Sequence, residues 1–438
     1  MKDQAIIQPR ILKGFRDSMP EIQIPKEAMV TTLQKHFASY GFVPIDTPAL
    51  EYMEILLGKG GGETDKQIFH FTDQGGREVA MRFDLTVPFA RYLALHEHEL
   101  ALPFKRYHID KVWRGENPQK GRYREFTQCD FDIVGVDNAE SDAEILSMMA
   151  SSFQKIGVEH ARFHVAHRGM FNQLLINLNV EDLSVEILRL VDKLRKIGKE
   201  ETHSQLLDLV QDKEKANAIL SYITKEDEEE LFDSTLNRLT TLLGGENEHT
   251  IRMRTIYSYL QAEGIEEYFS FDPSITRGLD YYTGIVYETF LEGAEHIGSV
   301  CSGGRYNDLA SLYTKTHLPG VGSSIGLDRL LAALEENQDH SAADVLILNT
   351  TQDRYAEAIR VAKHLRSANL RSAGLKVALY FEPKKLPAQF KWAEANAIQK
   401  AIILDQEEGS FTLRDLPTRT NEVVSLNEAV ALLKKDLL

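Results

Sequence analysis

The feature that most constrains this chain runs from Phe104 to Gly135, FKRYHIDKVWRGENPQKGRYREFTQCDFDIVG. From Phe104 to Arg114, Tyr107, Ile109 and Trp113 alternate with Arg106, His108, Asp110 and Arg114. From Tyr123 to Val134, Thr127, Cys129, Phe131 and Ile133 alternate with Gln128, Asp130 and Asp132. A period of two sustained over that length predicts strands half buried on one face. The stretch between them, residues 115–122, is rich in turn formers and charge, so the two strands form a long hairpin. Its apolar face is expected to pack inward, leaving the other face to Arg114, Gln128, Asp130 and Asp132.

A polar sheet face is usually only solvated. This one sets a guanidinium across from a carboxamide and two carboxylates, and its loop adds Lys120, Arg122 and Arg124. A guanidinium fork suits phosphate or carboxylate, and carboxylates suit ammonium or imidazole. A ligand carrying both signs, such as an amino acid meeting ATP, would use all of them. Gln128 and Asp132 lie about 13 Å apart along the strand, so one small ligand touches both only if side chains lean or the strand bends.

The hairpin resembles motif 2 of class II aminoacyl-tRNA synthetases, and RGENPQKGRYREFTQCDFDIVG resembles in detail the histidyl-tRNA synthetase family. The rest of the chain agrees in order. A helix predicted over Ile24–Tyr40 leads into FVPIDTPALE, which is similar to motif 1, the dimer segment of that class. A glycine cluster follows over 58–76 without a P-loop pattern, and is read as a loop. Asp84-Leu85-Thr86 stands at a strand–helix corner. Its side chains read equally as a helix N-cap or as ligand groups; in the family an acidic-x-Thr here binds the amino group of histidine. Ile145, Met148 and Met149 form an apolar helical stripe, read as core. Residues 170–267 turn helical and charged, which predicts an inserted helical domain.

Strand patterns then return. Arg277-Gly-Leu-Asp-Tyr281-Tyr282-Thr-Gly matches the segment peculiar to histidyl enzymes. Cys301-Ser-Gly-Gly-Arg305 follows, its glycines allowing close backbone approach, expected to be toward the ligand. The run 320–331, with Arg329 in an otherwise apolar first helical turn, matches motif 3. After a polar linker, strands near 345, 377 and 401 alternate with helices over Tyr355–Asn369 and Leu386–Ala397. That is a parallel βαβαβ arrangement without GxGxxG, and it resembles the anticodon-binding domain shared by several class II enzymes.

The resemblance therefore implies an α+β catalytic domain with a mostly antiparallel sheet (the class II synthetase fold), a helical insertion, and a C-terminal α/β anticodon-binding domain. The boundaries expected are 1–168 and 268–335 for the catalytic core, 169–267 for the insertion and 341–438 for the last domain. It implies a histidine–tRNA ligase reaction with ATP, Mg2+ and tRNA-His. Carried over by residue, Arg114, Arg277 and Gln128 are catalytic. Asp84, Leu85, Thr86, Arg114, Gln128, Asp132, Arg277, Tyr281 and Tyr282 hold histidine. Arg114, Glu116, Arg122 and Arg329 hold ATP, and no protein-bound metal site is expected. A non-catalytic regulatory subunit of ATP phosphoribosyltransferase is the rival, disfavoured by the retained arginines and C-terminal domain.

Composition bears on partners. The net charge of −16 argues against a non-specific polyanion binder. The charge is uneven, however: residues 341–438 hold 14 basic and 12 acidic groups, leaving −18 on the remainder. The two cysteines, Cys129 and Cys301, make neither a disulfide framework nor a zinc site. No membrane-length apolar run or signal segment is read, so a cytoplasmic location is expected, and the resemblance implies a homodimer.

Overall fold

The computed structural model describes residues 7–58, 67–119, 121–225, 230–275, 282–334, 340–368, 374–404 and 409–436. They fall into two compact units, one within Met1–Arg16 and Met29–Glu335, the other within Asp17–Ala28 and Glu336–Leu438.

The strands of the first unit are β1 (Val43–Pro44), β2 (Leu50–Tyr52), β3 (His70–Thr72), β4 (Glu78–Met81), β5 (Phe104–Trp113), β6 (Glu125–Val134), β7 (Ala161–His167), β8 (Phe269–Phe271), β9 (Ile285–Leu291), β10 (Cys301–Arg305) and β11 (Gly320–Gly326). Eight of them form one sheet in the order β1-β5-β6-β11-β10-β9-β7-β8. Only β1–β5 and β7–β8 pair in parallel, so the sheet is mostly antiparallel. A small antiparallel sheet, β2-β4-β3, stands apart from it.

The β5–β6 hairpin sets Arg106 opposite Asp132, His108 opposite Asp130 and Asp110 opposite Gln128. The odd-numbered residues Cys129, Phe131 and Ile133 enter the main core with Ile145, Met148 and Met149 of the helix Ala139–Lys155. Phe37 packs on Phe131 with ring centroids 5.0 Å apart. The other face is a correction to the half-buried expectation. Arg106, His108, Asp130 and Asp132 are all at least 97% buried. The helix Thr86–Leu95 explains part of this, since Phe89 lies 4.1 Å under the Arg106 guanidinium. Alternation shows which side chains share a face; it cannot show that a second layer covers the polar one.

Between residues 168 and 263 the described residues hold the helices Arg168–Asn177, Ser184–Val191, Leu194–Val210, Lys213–Ile223, Phe232–Leu242 and Glu248–Glu263. Three of these helices start on a side-chain cap, His167, Asp212 and Asn247. Asp212 accepts from the amides of Glu214 and Lys215, and Asn247 forms a capping box with Thr250. Their apolar faces do not form a separate core. Ile187, Leu206, Ile219, Leu236 and Met253 belong to the same apolar cluster as Phe131 and Tyr287.

The glycines of β10 serve the sheet, not a ligand as expected from the sequence. A Cβ on Gly303 would lie 2.1 Å from the Gly322 carbonyl oxygen, and one on Gly304 would lie 2.5 Å from that of Ile285. Gly322 makes a second allowance: a Cβ there would fall 1.9 Å from Asp132 Oδ1. The carboxylate of Asp132 therefore lies across β11.

The second unit has a five-stranded sheet of β12 (Val345–Ile347), β13 (Val377–Leu379), β14 (Lys400–Leu404), β15 (Ser410–Asp415) and β16 (Asn421–Ser425), in the order β13-β12-β14-β15-β16. The first three are parallel, with helices Tyr355–Ser367 and Leu386–Ala395 between them. The antiparallel pair β15–β16 and the helix Leu426–Asp436 extend the βαβαβ pattern beyond what the sequence indicated. No helix among the described residues is long and apolar enough to cross a membrane.

Candidate active site

A cavity of about 460 Å³ opens on the hairpin side of the eight-stranded sheet. That volume lies in the range of small-ligand sites. Its lining includes Asp84, Thr86, Arg114, Glu116, Arg122, Gln128, Tyr282 and Arg329, which come from four separate stretches of sequence. Arg277 and Tyr281, expected in the same place, lie outside the described residues, as does Lys120.

The strand–helix corner after β4 places Asp84. Its Oδ1 accepts from the Val87 amide at 3.0 Å, so the cap reading holds while the same carboxyl lines the cavity. Burial raises its pKa, against the pull of that amide and of Arg114. Leu85 is fully buried and Thr86 begins the helix.

Arg114 follows the last residue of β5. Its Nε donates to the Phe83 carbonyl at 2.9 Å, and its guanidinium lies 5.2 Å from the Phe126 ring centroid. Glu116 and Arg122 face each other across the turn at 3.9 Å. Arg329, from the helix Leu327–Ala333, donates to the Ser299 carbonyl. Burial pulls the pKa of Arg329 down to about 10, helped by the positive charges of Arg122 and Arg114. Three guanidinium groups thus crowd one end of the cavity and repel one another, which an anion relieves.

Gln128, on β6, donates to Ser324 Oγ at 2.8 Å, and its Oε1 is buried without a hydrogen-bond partner. That acceptor fits an ammonium. Asp132, four residues along the strand, is not among the cavity-lining residues. It is held instead by Arg106 at 2.6 Å and by the hydroxyl of Tyr306. The Arg106 contact is a meeting of charges without aligned N–H bonds. Tyr282 does reach the lining, in the next stretch of chain.

Asp130 lies between Gln128 and Asp132 on the same face. Burial lifts its pKa to about 7, Arg106 opposing and Asp132 adding to the rise. A carboxyl with a raised folded-state pKa stabilises the fold fully below its unfolded value near 3.8, and that contribution is lost as pH rises toward 7. Asp130→Asn should therefore become more stable relative to the parent as pH goes from 5 to 8, by up to about 1.4 kcal/mol per pH unit within the window. Denaturant midpoints at the two pH values measure this; a constant offset would place the charge of Asp130 elsewhere.

Several lining or supporting groups carried no legible signal. Arg16 donates to the Tyr123 hydroxyl at 3.0 Å and to Asp328 at 2.6 Å, while Asp328 also accepts from the Thr127 amide. Arg195, Glu288, Ser302 and Ser324 line the cavity as well. Only their register on adjacent strands, or a long-range approach, brings them there.

Among the described residues one cluster has metal-ligand spacing: Asp46, His108 and Asp110. His108 Nε2 is 3.3 Å from Asp46 and 4.0 Å from Asp110. Arg82 already grips Asp110 at 2.5 Å, and burial with the charges of Arg106 and Arg82 presses the His108 pKa to about 4. The local field opposes a cation.

The family model for histidyl-tRNA synthetase matches residues 14–330, and that for the anticodon binding domain matches residues 344–436. A histidine–tRNA ligase of Treponema denticola is 49% identical over 443 residues, covering 97% of this chain and 98% of its own. The crystal structure of histidyl-tRNA synthetase from Nostoc sp. PCC 7120 superposes with a TM-score of 0.88 at 30% identity, covering 98% of this chain and all of that one. An ATP phosphoribosyltransferase regulatory subunit/histidyl-tRNA synthetase from Bacillus halodurans shares the fold, with a TM-score of 0.74 at 22% identity.

Proposed function

The chain belongs to the histidyl-tRNA synthetase family, and from that premise we propose that it activates L-histidine with ATP and transfers it to the 3′ end of tRNA-His. Its fold is that of the class II synthetases, with a C-terminal anticodon-binding domain. The histidine carboxylate attacks the α-phosphorus of ATP, giving histidyl-adenylate and pyrophosphate. The terminal ribose hydroxyl of the tRNA then attacks the adenylate carbonyl, releasing AMP. No protein nucleophile is needed, so the residues act by positioning and by stabilising charge.

The observation that carries this reading is the crowding of Arg114, Arg122 and Arg329 in a cavity that also presents Asp84 and Gln128. Cations at one end suit a triphosphate, and acceptors beside them suit an α-ammonium. In this reading Arg114 and Arg277 bear on the reacting phosphate, with Arg277 also meeting the histidine carboxylate. Glu116, Arg122 and Arg329 hold the rest of ATP. Asp84, Thr86 and Gln128 take the amino group, with Leu85 backing them. Tyr281 and Tyr282 take the imidazole, and Asp132 acts with them from behind the lining, through a side chain fixed by Arg106 and Tyr306.

Magnesium accompanies ATP in this scheme and supplies charge neutralisation on the departing pyrophosphate. A homodimer formed through the segment around β1 and β2 accords with the exposure of Val43, Leu50 and Tyr52 there. The cytoplasm is the compartment that goes with this work.

The test is pyrophosphate exchange with each of the twenty amino acids, followed by charging of tRNA. Exchange with histidine alone, and accumulation of histidyl-tRNA, is the expected result. Exchange with a different amino acid overturns the substrate assignment. Histidine binding without any exchange would favour the regulatory-subunit reading, which the cavity arginines and the C-terminal domain disfavour.

A further inference from the structure

Directly opposed residues of an antiparallel pair share a sheet face. Against the polar row of β6, β11 sets Gly326 opposite Gln128, Ser324 opposite Asp130 and Gly322 opposite Asp132. Between those two glycines, Ser324 is the one side chain that β11 adds to the row. Its hydroxyl serves two neighbours. It accepts from Gln128 Nε2 at 2.8 Å. It also acts as a hydrogen-bonding neighbour on the carboxyl of Asp130, drawing its pKa down against the larger rise from burial. Ser324 and Gln128 line the cavity, whereas Asp130 is buried and is not among the lining residues.

A carboxamide has two ends of similar size and opposite hydrogen-bonding sense. Gln128 meets an α-ammonium only with Oε1 turned toward it, since the reversed amide offers NH2 to a cation. Oε1 is buried without a hydrogen-bond partner, so nothing at that end fixes the orientation. Ser324 fixes it at the other end. A serine hydroxyl has one proton and two lone pairs, and it rotates to suit its neighbours. A carboxylate at 130 takes that proton, leaving a lone pair for Gln128 Nε2 and no donor for Oε1. A neutral or replaced carboxyl releases the proton, and the amide is then free to reverse.

Asp130 is faced by Arg106 and His108 of β5, by Gln128 and Asp132 on its own strand, by Ser324 of β11 and by Asp84 of the strand–helix corner. Arg106 favours its ionised form, and the charges of Asp132 and Asp84 oppose it. Burial, with Arg106 and Arg82, keeps His108 neutral near pH 7, and its Nε2 lies by Asp46 and Asp110.

Resting on the assignment of Gln128 to the α-amino group of histidine, we propose that Asp130 and Ser324 are positioning residues for that substrate. The ionised carboxyl orients the Ser324 hydroxyl, and the hydroxyl orients the Gln128 carboxamide with its oxygen toward the ammonium. Capture of histidine thereby depends on the protonation of a side chain outside the cavity lining.

Histidine-dependent pyrophosphate exchange by the full-length protein tests this. Asp130→Asn, whose carbonyl oxygen is drawn to Arg106, turns its NH2 toward Ser324. It should raise KM for histidine about 10-fold at pH 8, the order of a lost hydrogen bond to a charged group. The kcat and the KM for ATP should change by less than about 3-fold. Because the pKa of Asp130 is raised to about 7, the parent itself loses the carboxylate as pH falls. The ratio of variant to parent KM should therefore shrink toward 1 at pH 6, and the titration of free histidine cancels from it. Ser324→Ala should raise KM by a similar factor, and adding Asp130→Asn to it should do nothing more. Ser324→Ala alone carries the test if Asp130→Asn does not fold. As inhibitors of exchange, histamine, which keeps the amino group, should weaken with either variant, and imidazolepropionate, which lacks it, should not. An unchanged KM, an additive double variant, a pH-independent ratio or equal weakening of both inhibitors overturns the proposal. A parent protein without histidine-dependent exchange sinks the underlying function instead, so the two failures are distinguishable.

Discussion

Arg114→Ala is expected to lower histidine-dependent pyrophosphate exchange by about 10²- to 10³-fold, the usual loss when one fixed donor to a developing negative charge is removed. The reason is geometric. Arg114 is braced by the Phe83 carbonyl through Nε and lies against Phe126, so its side chain is set before substrate arrives. Such preorganisation favours the transition state over the bound substrates, and the loss should fall on kcat more than on KM for histidine. Arg114→Lys should recover little, because a point charge on a flexible stem makes neither the Nε bond nor the planar contact. Steady-state exchange kinetics decide it. Equal exchange by variant and parent would remove Arg114 from the reaction.

The largest stability effect is expected at Arg106. It is fully buried, meets Asp132 at 2.6 Å and opposes the raised pKa values of both Asp130 and Asp132. Arg106→Met keeps an apolar stem over Phe89 but strands two carboxyl groups without their cation. Breaking a buried pair from one side costs about 3–5 kcal/mol. The loss should be smaller at pH 5 than at pH 8, since protonation relieves stranded carboxylates at low pH. Adding Asp132→Asn to Arg106→Met should restore part of the stability, because it removes one of those charges. Denaturant unfolding of the parent, single and double variants measures all three statements; an unchanged single variant would mean that Arg106 carries no electrostatic support.

The hairpin was legible because alternation fixes which residues share a face, and β5 and β6 follow it from Phe104 to Val134. Arg114 and Gln128 were readable for the same reason, Glu116 and Arg122 only through the family resemblance of the turn, and Asp84 because a polar residue at a strand–helix corner has few uses. What escaped was long-range. That the polar face is roofed by Phe89, or that Arg16 reaches Asp328 across 312 positions, follows from tertiary packing and from no local period. In the second unit the parallel βαβαβ core was clear, whereas β15 and β16 are a hairpin of mixed residues at a sheet edge, with Val423 and Glu422 exposed and little apolar alternation to mark them.

The apolar cluster that runs without a break from Phe131 of the sheet to Leu206, Ile219 and Met253 of residues 168–263 has a consequence for how this part of the protein comes apart. Elements that share buried contacts lose them together, so sheet and insertion should melt as one cooperative unit. An insertion built this way is no detachable accessory. Excising it would expose the underside of the very scaffold that holds the arginines, and a load placed on its helices is borne by the same strands that set the geometry of the reaction.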